Sequence, residues 1–351
     1  MKLIHCADLH LDSCMESGFP VEKAAQRRLE IMRTFTRLVE HASFSGVDAV
    51  LLCGDLFDTK TVSVRARNCV LDVLLQHPEI TFYYLRGNHD QEGFLTELEE
   101  QPPNLRTFGR TWTSYEQQDV VITGAEITEE LSDDLLERLT LEEDRLNIVM
   151  LHGMASEYGP ISLKALKNRN IDYLALGHIH SFRMEKLDDR GVWCYCGCLE
   201  GRGFDECGEK GYVQLEVQGG RICSGFVPFA LRTLHRAEAD ISGLLTQEEI
   251  LRAVKEAVRE LPAKDMAEVT LTGEVSLETE KDTAWLQKWM EHDFYFLKVK
   301  DKTRVFVCPE DYRYDVSLKG EFVRLVLDSA MTEEEKEQVL RLGIHALAGE
   351  L

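Results

Sequence analysis

The sequence predicts an α/β domain over residues 1–235 followed by a smaller α+β domain over residues 236–351. Three observations carry this expectation. Short apolar runs alternate with amphipathic helical stretches through the first two thirds of the chain, the pattern of strands layered with helices. After "GHIH", residues 177–180, the helices give way to consecutive strands. A length of 351 residues suggests roughly two domains.

The elements follow in order. "KLIHC" reads as a first strand. "VEKAAQRRLEIMRTFTRLVEHA" reads as a helix, with apolar residues at helical spacing and few breakers. "VDAVLLC" is a buried strand, and "VRARNCVLDVLLQH" is the helix that follows its loop. "ITFYYLR", "DVVITG", "RLNIVML" and "DYLALG" continue the strands, and "GVWCYCG", "GYVQLEV" and "RICSGFVPF" complete the first domain. The second domain offers the helix "TQEEILRAVKEAVREL", the strand "AEVTLTGEV", the helix "DTAWLQKWME" and the strands "FYFLKVK" and "TRVFV". The final stretch, "TEEEKEQVLRLGIHALAGEL", is helical and opens with a Thr-x-x-Glu capping pattern. This second domain carries no obvious chemical motif.

Hydrophobic residues make up 44% of the chain and charged residues 29%, which suits a soluble protein with a large core. The opening "MKLIHCADLH" lacks the basic and long apolar regions of a signal peptide, and no run approaches a transmembrane helix. A cytoplasmic protein is expected. Ten cysteines are too sparse for an oxidised scaffold of this length. Cys194, Cys196 and Cys198 alternate at strand spacing and no C-x2-C pair occurs, so buried free thiols are expected rather than a zinc site. The net charge of −22, from 40 basic and 62 acidic residues, argues against a nucleic-acid coat protein. The acid is concentrated in residues 111–145 and in the C-terminal third. The segments that carry histidine motifs are close to neutral.

Those motifs fall at the C-terminal ends of apolar strands, where loops line the crevice of an open α/β sheet. "CADLH" supplies Asp8 and His10. "LCGDLFD" supplies Asp55 and Asp58. "LRGNHD" supplies Asn88, His89 and Asp90. "MLHG" supplies His152, and "GHIH" supplies His178 and His180. Each fragment alone is more often a cap, a turn or a hydrogen-bonded histidine. Five in succession, each after an apolar strand, are hard to attribute to turns. Carboxylate oxygen mixed with imidazole nitrogen suits manganese, iron or zinc. So many ligand groups exceed the need of one ion and match two. A bridged pair of ions lowers the pKa of water and clamps both oxygens of a phosphoryl transfer.

Together, "DLH", "GDLFD", "GNHD", "HG" and "GHIH" resemble the five motifs of the calcineurin-like metallophosphoesterases. Within that family the chain looks like the SbcD-type nucleases of DNA double-strand-break repair. The opening "MKLIHCADLHLD" and the motif spacing carry this likeness. So does "YCGCLEGRGFDECGEKGY", which is similar to that branch's Y-x-G-S … F-x-E … K-G segment. The likeness covers about the first 230 residues well and the remainder more loosely.

The resemblance implies a two-layered β-sandwich flanked by helices (the metallophosphoesterase fold) and a smaller capping domain for substrate selection. It implies two divalent ions, with manganese expected and iron or zinc as alternatives. Asp8, His10 and His180 would hold one ion. Asn88, His152 and His178 would hold the other, and Asp55 would bridge them. His89 would approach the phosphate or leaving group as electrostatic partner or general acid. Some family members have a second catalytic histidine where this chain has Asp58. An aspartate cannot donate a proton at neutral pH unless its pKa is raised, so Asp58 is expected to orient His89 or water. DNA, an SbcC-type coiled-coil ATPase and a second copy of the chain are the implied partners. The helical segment that grips the ATPase in SbcD-type proteins is expected to be short or missing here.

The leading expectation is therefore a two-metal-dependent phosphodiesterase, an exonuclease or endonuclease acting on DNA ends. One alternative is a phosphatase or phosphodiesterase for a nucleotide or other small ester, which the acidic balance favours somewhat. A second is a metal-stabilised scaffold that docks onto an ATPase, against which stand the full ligand set and His89. Arg65, Arg67, Arg86 and Arg202 lie near the motifs and form a hypothetical basic track for DNA, with pairing to surface acids as the alternative for each.

Overall fold

Alternate side chains of the strand Lys2–Cys6 (β1) point to two different cores. Leu3, and Ala7 just past the strand, enter an apolar layer between two sheets, whereas Ile4 and Cys6 enter a layer beneath helices. The strand Ala49–Cys53 (β2) behaves in the same way. Ala49, Leu51 and Cys53 face the first layer, and Val50 and Leu52 face the second. Burial on both faces explains why these strands read as continuous apolar runs. The computed structural model describes residues 1–15, 18–58, 62–90, 100–127, 132–156, 160–276, 279–306 and 312–348.

The chain divides into two compact units, Met1–Thr233 and Leu234–Leu351. In the first, β1 and β2 are joined by β3 (Thr81–Leu85), β4 (Leu105–Thr107), β5 (Thr113–Gln117), β6 (Val120–Gly124) and β7 (Leu146–His152). A two-residue pair, β8 (Ala155–Ser156) and β9 (Ile161–Ser162), follows. Then come β10 (Tyr173–Gly177), β11 (Arg183–Lys186), β12 (Val192–Tyr195), β13 (Gly211–Gln218) and β14 (Arg221–Pro228). One six-stranded sheet has the order β14-β13-β1-β2-β3-β4, and the other β11-β12-β10-β7-β6-β5. In the first sheet β1 to β4 are parallel. In the second β6, β7, β10 and β12 are parallel. Antiparallel strands finish both sheets except at β4.

The two sheets pack face to face through Leu51, Tyr83, Val213, Ile122, Met150, Tyr173 and Cys194. Helices α1 (Val21–Phe44) and α2 (Val64–Gln76) cover the outer face of the first sheet with Phe35, Leu38, Val70 and Leu74. Leu136 and Leu166, from short helices at Ser132–Glu137 and Leu163–Leu166, cover the second. The sandwich flanked by helices is thus the observed architecture.

In the second unit Leu234–Asp240, Met266–Thr272 and Phe296–Asp301 form a parallel sheet. Ala239, Val269 and Leu271 pack with Ile250 and Val254 of the helix Gln247–Ala257 and Leu286 of the helix Thr283–Trp289. Thr246 and Glu249 form a reciprocal capping box at the first of these helices. Thr332 and Glu335 exchange backbone-to-side-chain bonds of 2.8 and 3.3 Å ahead of the helix Glu333–Ala348, as the Thr-x-x-Glu pattern anticipates. Among the described residues, no helix is long and apolar enough to cross a membrane.

Candidate metal centre

The parallel strands β1, β2, β3, β7 and β10 all send their C-terminal ends to one edge of the sandwich. Backbone bonds carry the alignment past the strands. Asp8 N donates to the Gly54 carbonyl at 3.0 Å, and His10 N donates to the Asp55 carbonyl at 3.0 Å. The two sheets are also stitched together here. The His178 N–H, from the second sheet, donates to the Asp8 carboxylate of the first at 2.9 Å. His152 Nδ1 donates to the Cys53 carbonyl at 2.9 Å. The seam therefore brings Asp8, His10, Asp55, Asp58, Asn88, His89, His152, His178 and His180 into one cluster.

Four of these residues hold a left-handed backbone: Asp8 at φ 51°, His10 at 46°, Asp55 at 51° and His178 at 103°. Such conformations cost energy in non-glycine residues and persist where surrounding bonds fix them. Neighbouring glycines make room. A Cβ on Gly87 would collide with Asp55 Oδ1, and one on Gly54 would collide with the His152 ring. The glycines of "CGD" and "RGN" are thus required by close approach of the site's own side chains.

Two groups share the cluster. In the first, His10 Nε2 lies 3.2 Å from His180 Nε2, and His180 Nε2 lies 3.9 Å from Asp8 Oδ1. In the second, Asn88 Oδ1 lies 3.0 Å from His152 Nε2 and 3.2 Å from His178 Nδ1. Asp55 stands between them, with Oδ2 3.4 Å from His152 Nε2 and 3.9 Å from His10 Nε2. Its other oxygen accepts from the His89 N–H at 2.9 Å. The floor is buried, with Asp8, His10, Asp55 and His152 all under one tenth exposed. Asn88 and His89 form the open rim.

The donor set fits divalent cations. His10 Nδ1 donates to Asp58 Oδ1 at 3.0 Å, and His180 Nδ1 donates to Glu206 Oε1 at 2.6 Å. With both rings neutral the two Nε2 lone pairs would face each other at 3.2 Å; a divalent cation relieves this, as does a proton on His180, which despite burial is raised by the Glu206 hydrogen bond and the Asp8 charge. Two ligand atoms each about 2.1 Å from one ion can lie up to about 4.2 Å apart, and the separations above fall within that reach. Imidazoles anchored through Nδ1 to carboxylate or carbonyl oxygen are the usual support of metal-ligating histidines.

Titration in the metal-free protein points the same way. Burial pushes Asp8 up to about 7. Burial would also raise Asp55, but the His152 hydrogen bond and charge hold it down at about 2. His152 rises to about 9 because Asp55 and Asp8 outweigh its burial. A proton on His152 thus supplies part of the positive charge that a cation would bring. Burial lowers His10, which keeps its ring neutral and its lone pair available. Despite burial, Asp58 lies well below the usual carboxylate range, through its hydrogen bonds from His10 and Ser13 and the Arg202 charge. It is ionised and acts as an acceptor. His89, 45% exposed, has Nδ1 3.3 Å from Asp58 Oδ1.

Residue-type reasoning missed Glu206, which anchors His180, and gave no role to Asp90. Asp90 accepts from the N–H groups of Phe57 (2.9 Å), Gly87 (3.0 Å) and Leu56 (3.2 Å), tying two motif loops together. The F-x-E signature contained Glu206, but only the fold shows which histidine it serves. The four arginines do not form one open basic track. Arg86 makes a bidentate pair with Glu126 at 2.6 Å. Arg202 pairs with Glu206 at 2.9 Å and Asp58 at 3.3 Å. Arg65 is exposed and Arg67 partly so, on the first turn of α2. Nine cysteines are free among the described residues, with Cys194, Cys196 and Cys198 buried.

The family model described as calcineurin-like phosphoesterase matches residues 1–182. Over 284 residues the chain is 27% identical to the uncharacterized metallophosphoesterase YhaO of Bacillus subtilis (strain 168), a match spanning 75% of this chain and 69% of that one. Over 376 residues it is 23% identical to the DNA double-strand break repair protein Mre11 of Sulfolobus acidocaldarius, spanning 96% of both. Over 268 residues it is 24% identical to the SbcD component of the nuclease SbcCD from Escherichia coli (strain K12), spanning 61% of this chain and 64% of that one.

Proposed function

Because this chain belongs to the calcineurin-like phosphoesterase family, we propose that it is a two-metal phosphodiesterase that cuts DNA at its ends. The observation that carries the proposal is the convergence of Asp8, His10 and His180 on one side of Asp55, and of Asn88, His152 and His178 on the other. In this reading each trio would hold one ion and Asp55 would contact both, with manganese as the expected metal. When bound, two divalent cations supply charge that stabilises the transition state and lowers the pKa of the attacking water.

The protein's own groups do the rest. Asp58 Oδ1 lies 3.3 Å from His89 Nδ1, a placement that leaves Nε2 to meet the phosphate or protonate the leaving oxygen. The buried floor holds the ligand atoms still, while the exposed Asn88 and His89 rim leaves room for a strand to approach. Repair and nuclease proteins among the relatives favour DNA over a small ester. The second unit, Leu234–Leu351, is proposed as a capping domain that selects substrate shape. An SbcC-type ATPase and a second copy of the chain are the proposed partners, in a cytoplasmic setting where the thiols stay reduced.

The test compares a linear duplex, a single strand and bis(p-nitrophenyl) phosphate side by side with manganese. The proposal expects degradation of the DNA from its ends. Turnover of the aryl diester with both DNA substrates intact would assign the enzyme to small esters instead.

A further inference from the structure

Arg202 sits where a substrate-binding arginine is expected, yet its donors are directed at the protein. Nη1 lies 3.3 Å from Asp58 Oδ2. Nε and Nη2 donate to Glu206 Oε1 at 3.2 and 2.9 Å, and the Arg202 backbone N–H donates to Glu206 Oε2 at 2.7 Å. Each carboxylate in turn holds a histidine of the first group, Glu206 through His180 Nδ1 and Asp58 through His10 Nδ1. The path closes on itself, because His10 Nε2 and His180 Nε2 face each other at 3.2 Å. We propose that Arg202 is a positioning residue whose guanidinium clasps Asp58 and Glu206 together, fixing both imidazoles of one metal site and His89 with them.

The surroundings favour this role. The segment that presents Arg202 is pinned two residues earlier. Fully buried Arg27 of α1 donates to Glu200 Oε2 and to the Gly201 carbonyl, both at 2.9 Å, and Thr34 Oγ1 donates to Glu200 Oε1 at 2.8 Å. Lys210 Nζ donates to the His180 carbonyl at 2.7 Å, so the same segment grips the histidine by backbone and ring. A planar fork with several fixed donors can hold two carboxylates at once, which a lysine ammonium on a flexible stem does poorly. Asp58 comes from the loop after β2 and Glu206 from the segment after β12, so the clasp spans both sheets of the sandwich.

The inference rests on the two-metal reading, and its test separates the two. Full-length Arg202→Met and Arg202→Lys are titrated with manganese by calorimetry, with metal content, diester kinetics and DNA binding measured in parallel. A lost outer support costs about 10–100-fold in metal affinity. The clasp predicts that loss for one ion of the two, in both variants. It also predicts a lower kcat with unchanged KM for the aryl diester, and an unchanged salt slope of DNA binding. Rescue by lysine, or wild-type affinity for both ions with a shallower salt slope, would make Arg202 a phosphate contact and overturn the proposal. Wild-type protein that binds no pair of ions would refute the two-metal reading alone. The metal-free crystal structure of Arg202→Lys then decides the clasp. Asp58 or Glu206 swung away from its histidine supports it, and both carboxylates in place overturn it.

Discussion

Replacing Asp55 with asparagine removes one charge and almost no volume. Asp55 Oδ2 lies 3.4 Å from His152 Nε2 and 3.9 Å from His10 Nε2, so one carboxylate serves both groups of the centre. Its Oδ1 accepts the His89 N–H at 2.9 Å, a bond the amide oxygen of asparagine can keep. The loop should therefore stay folded. A unit charge at about 4 Å and an effective dielectric of about 20 is worth about 4 kcal/mol, and a divalent ion gains about twice that. Keeping the lower figure, because the amide still offers a neutral oxygen, the loss is about 1,000-fold in affinity for each ion. Asp55→Asn should thus lose both ions together and hydrolysis with them. Metal content measured after gel filtration in buffered manganese checks this. Two ions retained at wild-type affinity, or one lost and one untouched, would refute the bridging role.

Other outcomes follow from the same geometry. His89→Ala should keep both ions and lose about 10²–10⁴-fold in rate, the scale of a general acid or base; loss of metal would make His89 a ligand. The metal-free protein should lose thermal stability between pH 7 and 9, because His152, raised to about 9, gives up its contribution above the ordinary histidine range. Manganese should flatten that decline, and a metal-free Tm that rises across this interval would contradict the assigned shift. Arg65→Glu with Arg67→Glu should weaken DNA binding and lower its salt slope by roughly 0.9 for each phosphate no longer neutralised, leaving aryl diester hydrolysis unchanged. An unchanged slope would place DNA elsewhere.

The central strands were legible because burial on both faces leaves uninterrupted apolar runs, as in "AVLLC" and "YLALG". The edge strands were not, apart from Arg221–Pro228. Arg183–Lys186 is exposed throughout, and Thr113–Gln117 has no buried position. Backbone pairing to an inner neighbour holds them, and composition does not reveal that. The helix Leu318–Leu327 and the strand Leu234–Asp240 also escaped notice, the latter because its polar face interrupts the apolar pattern. Ligand-type residues of the candidate centre stood out because each follows its strand directly. Their supports did not. Glu206 serves a histidine on another strand end, and the carbonyl that orients His152 belongs to Cys53. The arginines carried a charge legible in sequence, but Glu126, Asp58 and Glu206 decide where that charge is spent.

The most direct test of the account is a crystal structure of the wild-type protein grown with manganese, with anomalous scattering recorded to locate the ions. The account predicts two anomalous peaks on either side of the Asp55 carboxylate, one among Asp8, His10 and His180 and the other among Asn88, His152 and His178. A single peak, or two peaks that do not share Asp55, would contradict it.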